Sequence, residues 1–409
     1  MPVTRTFKQA FSGGEISPEM FGRISDTKFQ QGAATMRNFV VKPQGPAQNR
    51  PGFAFVKEVK DSTKATRLIP FTFNTTQTMV LEFGDQYFRF HTQGLTLNYN
   101  DGNAWNSGTN YQVGDIALYN GVNYYAKTAH TNIQPPNATN WYALPTDNTY
   151  EIPHPYLEAD LFDVHYVQSA DVLTLVHPNH PPKELRRFGG SQWELKTIDF
   201  GSPIAAPTGV SVSAYLPPST TTNADTKLDH NYVVTAVKAN LIDESNQSST
   251  ATAQNNIFVT GAKNTITWNA VSGASRYRVY KDQGGIFGFV GETTTTTIID
   301  DNISPDFSRT PPIHENDFVG TGNYPGAVSY FEQRRVFAGT NNGPQDIWMT
   351  KSGTESNMSF GIPVRDDDRI EFRVAAREAN TIRHIVPLTN LLLLTGSAEW
   401  RVTSVNSDA

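Results

Sequence analysis

The sequence contains no cysteine. That excludes a disulfide framework, a thiolate metal site and a thiol nucleophile, so stability must come from packing or assembly. Long apolar runs are also missing: the longest aliphatic stretch, Leu391 to Leu394, falls far short of the ~20 residues that span a bilayer. No membrane insertion is expected. The opening residues, Met1 to Phe21, lack the apolar core of a signal peptide, which points to synthesis in the cytoplasm. Positive charge is scarce as well: 33 Lys and Arg face 39 Asp and Glu, for a formal net charge of -6. A surface that grips nucleic acid by neutralising phosphates needs the opposite balance, although nucleic acid sliding past without specific binding remains compatible. No Gly-x-Ser-x-Gly elbow, phosphate loop or dinucleotide fingerprint is present. No two acids stand out as a glycosidase pair. The chain therefore reads as a non-enzyme, with no catalytic residue and no cofactor.

What the sequence does contain is turn-rich and aromatic. Aromatics at 11%, with 30 Gly and 25 Pro, favour short strands joined by tight turns, hence a mainly β class. A chain of 409 residues is long enough for two to four domains. In the stretch from Tyr156 to Phe200, Phe162, Val164 and Tyr166 alternate as a half-buried strand does. Val172 to Val176 forms a short apolar run, and the Pro-rich turn at Pro178 to Pro182 leads to a strand near Leu185. The same plan recurs: Val80 in TMVLEF matches Leu173 in DVLTLV, Val336 in RRVFAG and Leu392 in LLLLTG. Once two foreign segments are set aside the period is about 50 to 56 residues, in the range of propeller blades. The expected fold is an incomplete or multi-chain β-propeller-like scaffold, with blades at residues 61–102, 146–205 and, as a pair, 313–409. Leu173 marks its core. No closing strand is evident after the fourth unit. Residues 1–60 read as an arm in which Ser17-Pro18 opens a helical turn and Arg50, Pro51 and Gly52 precede an apolar strand, Phe53 to Val56.

The first foreign segment, residues 103–145, carries Trp105, Tyr111, Gly114-Asp115, Tyr119, Gly121, Tyr125, Ala126, Pro135-Pro136 and Trp141. In these residues it resembles the small chitin- and cellulose-binding modules appended to secreted glycosidases. That resemblance implies that Trp105, Tyr124, Tyr125 and Trp141 are the candidates for stacking on a sugar. The opposing reading makes Trp141 and Tyr111 simply the core of a tiny β-module. Thr128-Ala129 stands where such modules usually carry an aromatic pair. The second segment, residues 206–312, includes TITWNAVSGASRYRVYKD from Thr265 to Asp282. This resembles the paired central strands of fibronectin type III or immunoglobulin-like sandwiches, with Trp268, Tyr277 and Val279 inward. Tyr232 to Val237 resembles elements that normally follow those strands but here precede them, which implies either one rearranged sandwich or two partial ones.

Two polar clusters bear on metal chemistry. His177 and His180, with Asp160 or Asp163 near in sequence, offer ligand types without a convincing third spacing. A rigid rim turn is the preferred reading, and no metal is expected. The run Arg365, Asp366, Asp367, Asp368, Arg369 lacks the spaced oxygens and Gly of a calcium loop and reads as a solvated or inter-subunit turn.

Outside the inserts, three stretches taken together resemble the tail nozzle proteins of short-tailed bacteriophages, also called tail tubular protein B. FSGGEISPEM from Phe11 begins an opening that reaches the Arg50-Pro51 step. Gln168 to Asp171 leads into Leu175-Val176-His177-Pro178. Tyr324 to Phe360, the acidic run at Asp366 and LLLLTGSAEWRVT resemble the following blades. The resemblance implies a structural virion protein of the tail, assembled as a six-fold ring below adaptor and portal proteins. It would carry fibre or spike proteins and pass DNA through its lumen. Arg50, Pro51, Gly52, Arg334, Arg335, Asp366, Asp367 and Trp400 are the assembly candidates on that reading. Members are usually longer, which implies a fragment, a truncated form or one half of a split protein. The alternative is a carbohydrate-binding surface adhesin or receptor-binding tail component.

Overall fold

The computed structural model describes residues 8–74, 78–218, 226–375, 378 and 380–403. Strands make up 43% of it and helix 3%, so the mainly β expectation holds, and the many small sheets stay open. Two compact units divide at Lys57/Glu58.

The first unit is short on ladders. A 3-10 turn, Pro18–Met20, starts where Ser17 accepts from the Glu19 N–H, and Asp26 caps the five-residue helix Thr27–Gln31 through the Lys28 N–H. Phe39–Val41 pairs with Ala47–Asn49 as a hairpin. The strand expected at Phe53 to Val56 is not formed. That stretch has no ladder partner among the described residues, and Phe53 and Phe55 stand 86% and 85% exposed. Alternating apolar residues are therefore present without a sheet to receive them, apart from the Arg50 guanidinium lying over the Phe53 ring.

The second unit is built on four antiparallel meanders. The first uses Arg67–Thr72, Thr78–Gly84 and Tyr87–Thr92, then takes its fourth strand from Glu151–Pro153, where Ile152 lies opposite Phe88. The small module is thus inserted between the third and fourth strands of one sheet, and a boundary at residue 146 cuts that sheet. The second meander runs His165–Ser169, Val172–His177, His180–Gly189 and Gln192–Thr197 in sequence order. Phe162, expected in its first strand, instead sits in the preceding turn and is exposed. The third meander comprises Ala327–Phe331, Arg334–Ala338, Asp346–Met349 and Ile370–Arg373. The fourth comprises Ile382–Pro387, Leu391–Thr395 and Glu399–Val402.

Alternation decides which residues face inward. Leu81, Leu173, Val336 and Leu393 are fully buried or nearly so, whereas Val80 is exposed. The equivalence of Val80 and Leu392 with Leu173 and Val336 is off by one residue, which in a strand means the opposite face. The meanders stack in chain order, each pair sharing a core. Ile69, Phe71 and Phe90 meet Leu173, Leu185 and Trp193. Val176 and Phe200 meet Phe337 and Trp348, and Ala327 and Val336 meet Ile382 and Leu391. The first strands also touch: Gln168 bonds both the N–H and the C=O of Thr72, and the His165 ring stacks on His384 at 4.7 Å. Blade stacked on blade about their first strands gives a propeller-like scaffold left open.

The second insert is one sandwich. Three strands, Ser211–Tyr215, Lys263–Thr267 and Thr297–Asp300, face four in the spatial order Ala251–Asn255, Leu228–Val237, Arg276–Gln283, Ile286–Thr293. Trp268, Tyr277, Val279 and Tyr232 fill the space between. The Leu228–Val237 strand precedes in sequence the strands it pairs with, so a single rearranged sandwich replaces the alternative of two partial ones.

Candidate functional site

In the small module a four-stranded sheet, ordered Trp141–Ala143, Val122–Ala126, Ile116–Tyr119, Asn103–Ala104, separates two faces. Directly opposed residues share a face, so Ala117, Tyr124, Ala126 and Trp141 lie on one side and Ile116, Tyr125 and Tyr142 on the other. The second side joins the core of the first two meanders. Tyr125 is 2% exposed, and its hydroxyl donates to the Trp193 carbonyl oxygen at 2.9 Å. Burial pushes that phenol well above its ordinary range. On the other side Trp141 is 3% exposed and packs edge-on against Tyr111 and His130.

Two of the four expected sugar-stacking residues, Tyr125 and Trp141, are therefore enclosed, and neither offers an open ring face as a stacking platform. Trp105 and Tyr124 remain half-buried. The Trp105 indole N–H shares the Ile133 carbonyl with that of Trp141, and its ring meets Tyr119 edge-on at 82°. Trp105 and Tyr119 thus form a small aromatic corner, not a flat coplanar strip. Sequence reasoning missed Tyr119 as the ring beside Trp105, although their pairing follows once the sheet register is known.

Residues 104–141 match the model of carbohydrate-binding module family 5/12. The match to family 5/12 covers the module and no more of the chain. None of the curated proteins matches the chain. Among solved structures, the chain is similar to the Cps50 (Swd1) β-propeller domain of Myceliophteria thermophila at 10% identity. That comparison covers 85% of this chain and 100% of that one, with a TM-score of 0.15.

The fold also brings Asp160, His177 and His180 together, with one ligand atom of each within 4.8 Å of the others. His180 Nε2 lies 2.9 Å from Asp160 Oδ2, and His177 Nε2 lies 3.6 Å from Oδ1. The tautomer decides the chemistry here. The Asn179 N–H donates to His177 Nδ1 at 3.1 Å, so in the neutral ring the proton sits on Nε2, facing the carboxylate. Such a ring donates to Asp160 instead of ligating a cation. The cluster ties the turn after the first meander to the rim turn of the second. Asp163, the other acid considered, is outside it.

Several of the assembly candidates make contacts within the chain. Leu173 is fully buried. Arg334 clamps a turn through Thr350 O, Asp366 O and Asp368 O at 2.6 to 2.9 Å. Arg335, with no exposed surface, joins Glu184 of the second meander and Glu355 of the third. Of the acidic run, Asp366 is solvated and Asp367 pairs with Lys351 and Arg365. Asp368 is buried, with its carboxylate accepting from Lys351, Gly361 N–H and Arg365 N–H. A wholly solvated turn is thus corrected at Asp368. Trp400 lies half-buried against the core of the third and fourth meanders. Arg50 reaches Asn38 and Phe53, while Pro51 and Gly52 are exposed. Glu184 and the buried triad Glu82, Arg89 and Glu151 were not singled out by sequence, where isolated charges inside strands look like any solvent-facing position.

Proposed function

We propose that the chain is a structural component of a short-tailed phage tail, of the nozzle kind, working as an assembled ring and not as an enzyme. The order and spacing of the nozzle-like stretches outside both inserts is the observation that carries this reading. The stacked, open meanders suit it physically, because unpaired sheet edges gain most from neighbours in a symmetric assembly. Phe53 and Phe55, almost fully exposed, suit an arm that packs on an adjacent copy. An acidic balance avoids trapping DNA in a lumen. On this reading adaptor and portal-side proteins sit above the ring, and fibre or spike proteins attach to it. Mass photometry and negative-stain imaging of the purified chain test the proposal. Six-fold rings are expected, whereas a strictly monomeric particle at micromolar concentration, or absence from purified virions, counts against it.

A second reading is favoured by the family 5/12 match: glycan binding at the small module, as an adhesin or receptor-binding part. Trp105 with Tyr119 and Tyr124 would supply the contact. On a glycan array, loss of signal in Trp105→Ala with an unchanged melting curve supports it. No signal above background from the unmodified chain removes it.

A further inference from the structure

We propose that the cleft where the small module meets the first two meanders binds an acidic sugar unit, a pyranose bearing one carboxylate. The site is separate from the Trp105 corner and independent of the phage-tail reading. The cleft encloses about 380 Å³, the size class of a small-molecule site at a junction of structural units. Two lysines are among its lining residues, Lys127 from the module and Lys183 from the second meander, and no described carboxylate is. That is unusual in a chain whose acids outnumber its bases.

Each ammonium spends one of its three donors inside the protein: Lys127 Nζ on Ala138 O at 2.7 Å and Lys183 Nζ on Thr197 Oγ1 at 2.8 Å. Among the described residues neither forms an ion pair. Burial alone pulls the Lys183 ammonium below its ordinary value, with no neighbouring charge opposing it. A partly buried cation without a counter-charge is stabilised by an anion that arrives with the ligand.

The remaining walls fit a sugar ring better than a bare anion. Val113, Pro153, Pro155 and Leu195 give an apolar lining for the C–H face of a pyranose, and the Gln86 amide can serve its hydroxyls. His154 adds no charge: its Nδ1 accepts from the Tyr156 N–H and its Nε2–H donates to Tyr87 O. The space far exceeds a phosphate, and a lysine ammonium takes a carboxylate as a point charge, without the forked geometry of Arg.

Isothermal titration of the full chain with glucuronate, glucose and inorganic phosphate tests this. Saturable glucuronate binding is expected, with glucose and phosphate each at least about tenfold weaker, a difference of ~1.4 kcal/mol. Lys183→Met and Lys127→Met should each weaken glucuronate at least about tenfold by the same measure, while Lys263→Met in the sandwich leaves it unchanged. Using two variants separates a lost contact from a local misfold. Equal affinity for glucose, phosphate binding as tight as glucuronate, unchanged affinity in both cleft variants, or no saturable binding at all would each overturn the proposal.

Discussion

Arg335 on the third meander donates through Nη1 to Glu184 Oε1 on the second at 2.7 Å, and both side chains are shut away from solvent. Removing the cation strands a buried carboxylate that keeps only Arg186 as a counter-charge. Arg335→Met should therefore cost about 3–5 kcal/mol. Adding Glu184→Gln to it should recover part of that loss, because the stranded charge is gone. Urea unfolding of the two single variants and the double variant gives the coupling directly; strict additivity would mean that the pair is not linked. The same pair carries a pH signature. Burial by itself would raise the Glu184 carboxyl, but Arg335 and Arg186 outweigh it and hold the group below its ordinary value of 4.5. This stabilisation is complete above about pH 4.5 and fades as pH falls through the lower folded value. Glu184→Gln should flatten the acid limb below that point.

His154 sets a second, higher window. Enclosed against Phe83, Phe88 and Tyr156, its imidazole is pushed down to about 3 by burial. The unfolded chain therefore takes up this proton first as pH falls below 6.5. Stability is full above that value and declines toward pH 3, by about 5 kcal/mol over the whole span. His165, His177, His230 and His314 are shifted the same way by burial. Denaturant titrations at two pH values, about 7.5 and about 5, should show a clear loss for the native chain and a smaller one for His154→Leu. An equal loss in both would remove His154 from the account.

Gly339 sits at φ +70°, and a Cβ there would lie 2.2 Å from the Ile382 carbonyl oxygen of the fourth meander. Backbone cannot yield as a side-chain tip can, so Gly339→Ala should cost well over 1 kcal/mol, about 2 or more. Gly94, at φ +76° with nothing within 4 Å, controls for conformation alone, and its Ala variant should cost only about 1 kcal/mol. Similar melting shifts for the two would show that the fourth meander is free to move.

The meanders were legible because alternation and turn residues are local signals, and Val172 to Val176 forms the largely buried strand that its apolar run required. Face assignment was less so: Val80 and Leu81 are both apolar, and only pairing with Ile69 and Phe90 decides that Leu81 points inward. The fourth strand of the first meander, Glu151–Pro153, was hidden because the module separates it from its partners. The aromatic residues of that module were readable as a set, but not by role. Tyr124 and Tyr125 are adjacent and chemically identical, and one register step sends one toward the module's own core and the other into the scaffold.

Leu173 and His180 separate core from rim. Leu173 is fully enclosed in the shared core of the first two meanders, so Leu173→Asp buries an unpaired charge and should leave no soluble, folded protein. His180 is only partly buried, and its loss removes one bond to Asp160. His180→Ala should cost about 1 kcal/mol. Circular dichroism melting of the soluble fractions is the check, and a folded Leu173→Asp protein would contradict the assigned core.

Tyr125 tests whether the module is part of the scaffold or an appendage. Its ring is enclosed among residues of the first two meanders, and its hydroxyl meets Trp193 O. Tyr125→Phe keeps the ring and leaves that buried carbonyl without its donor, which should cost about 1–2 kcal/mol. Tyr125→Ala also opens a cavity and should cost about 3–5 kcal/mol. If the module is welded to the meanders, both variants lower the single unfolding transition of the whole second unit. A separate early transition confined to the module would show that it unfolds by itself. Glycan retention gives the orthogonal readout: Tyr125→Phe should bind as the native chain does, because the hydroxyl is engaged by the Trp193 carbonyl.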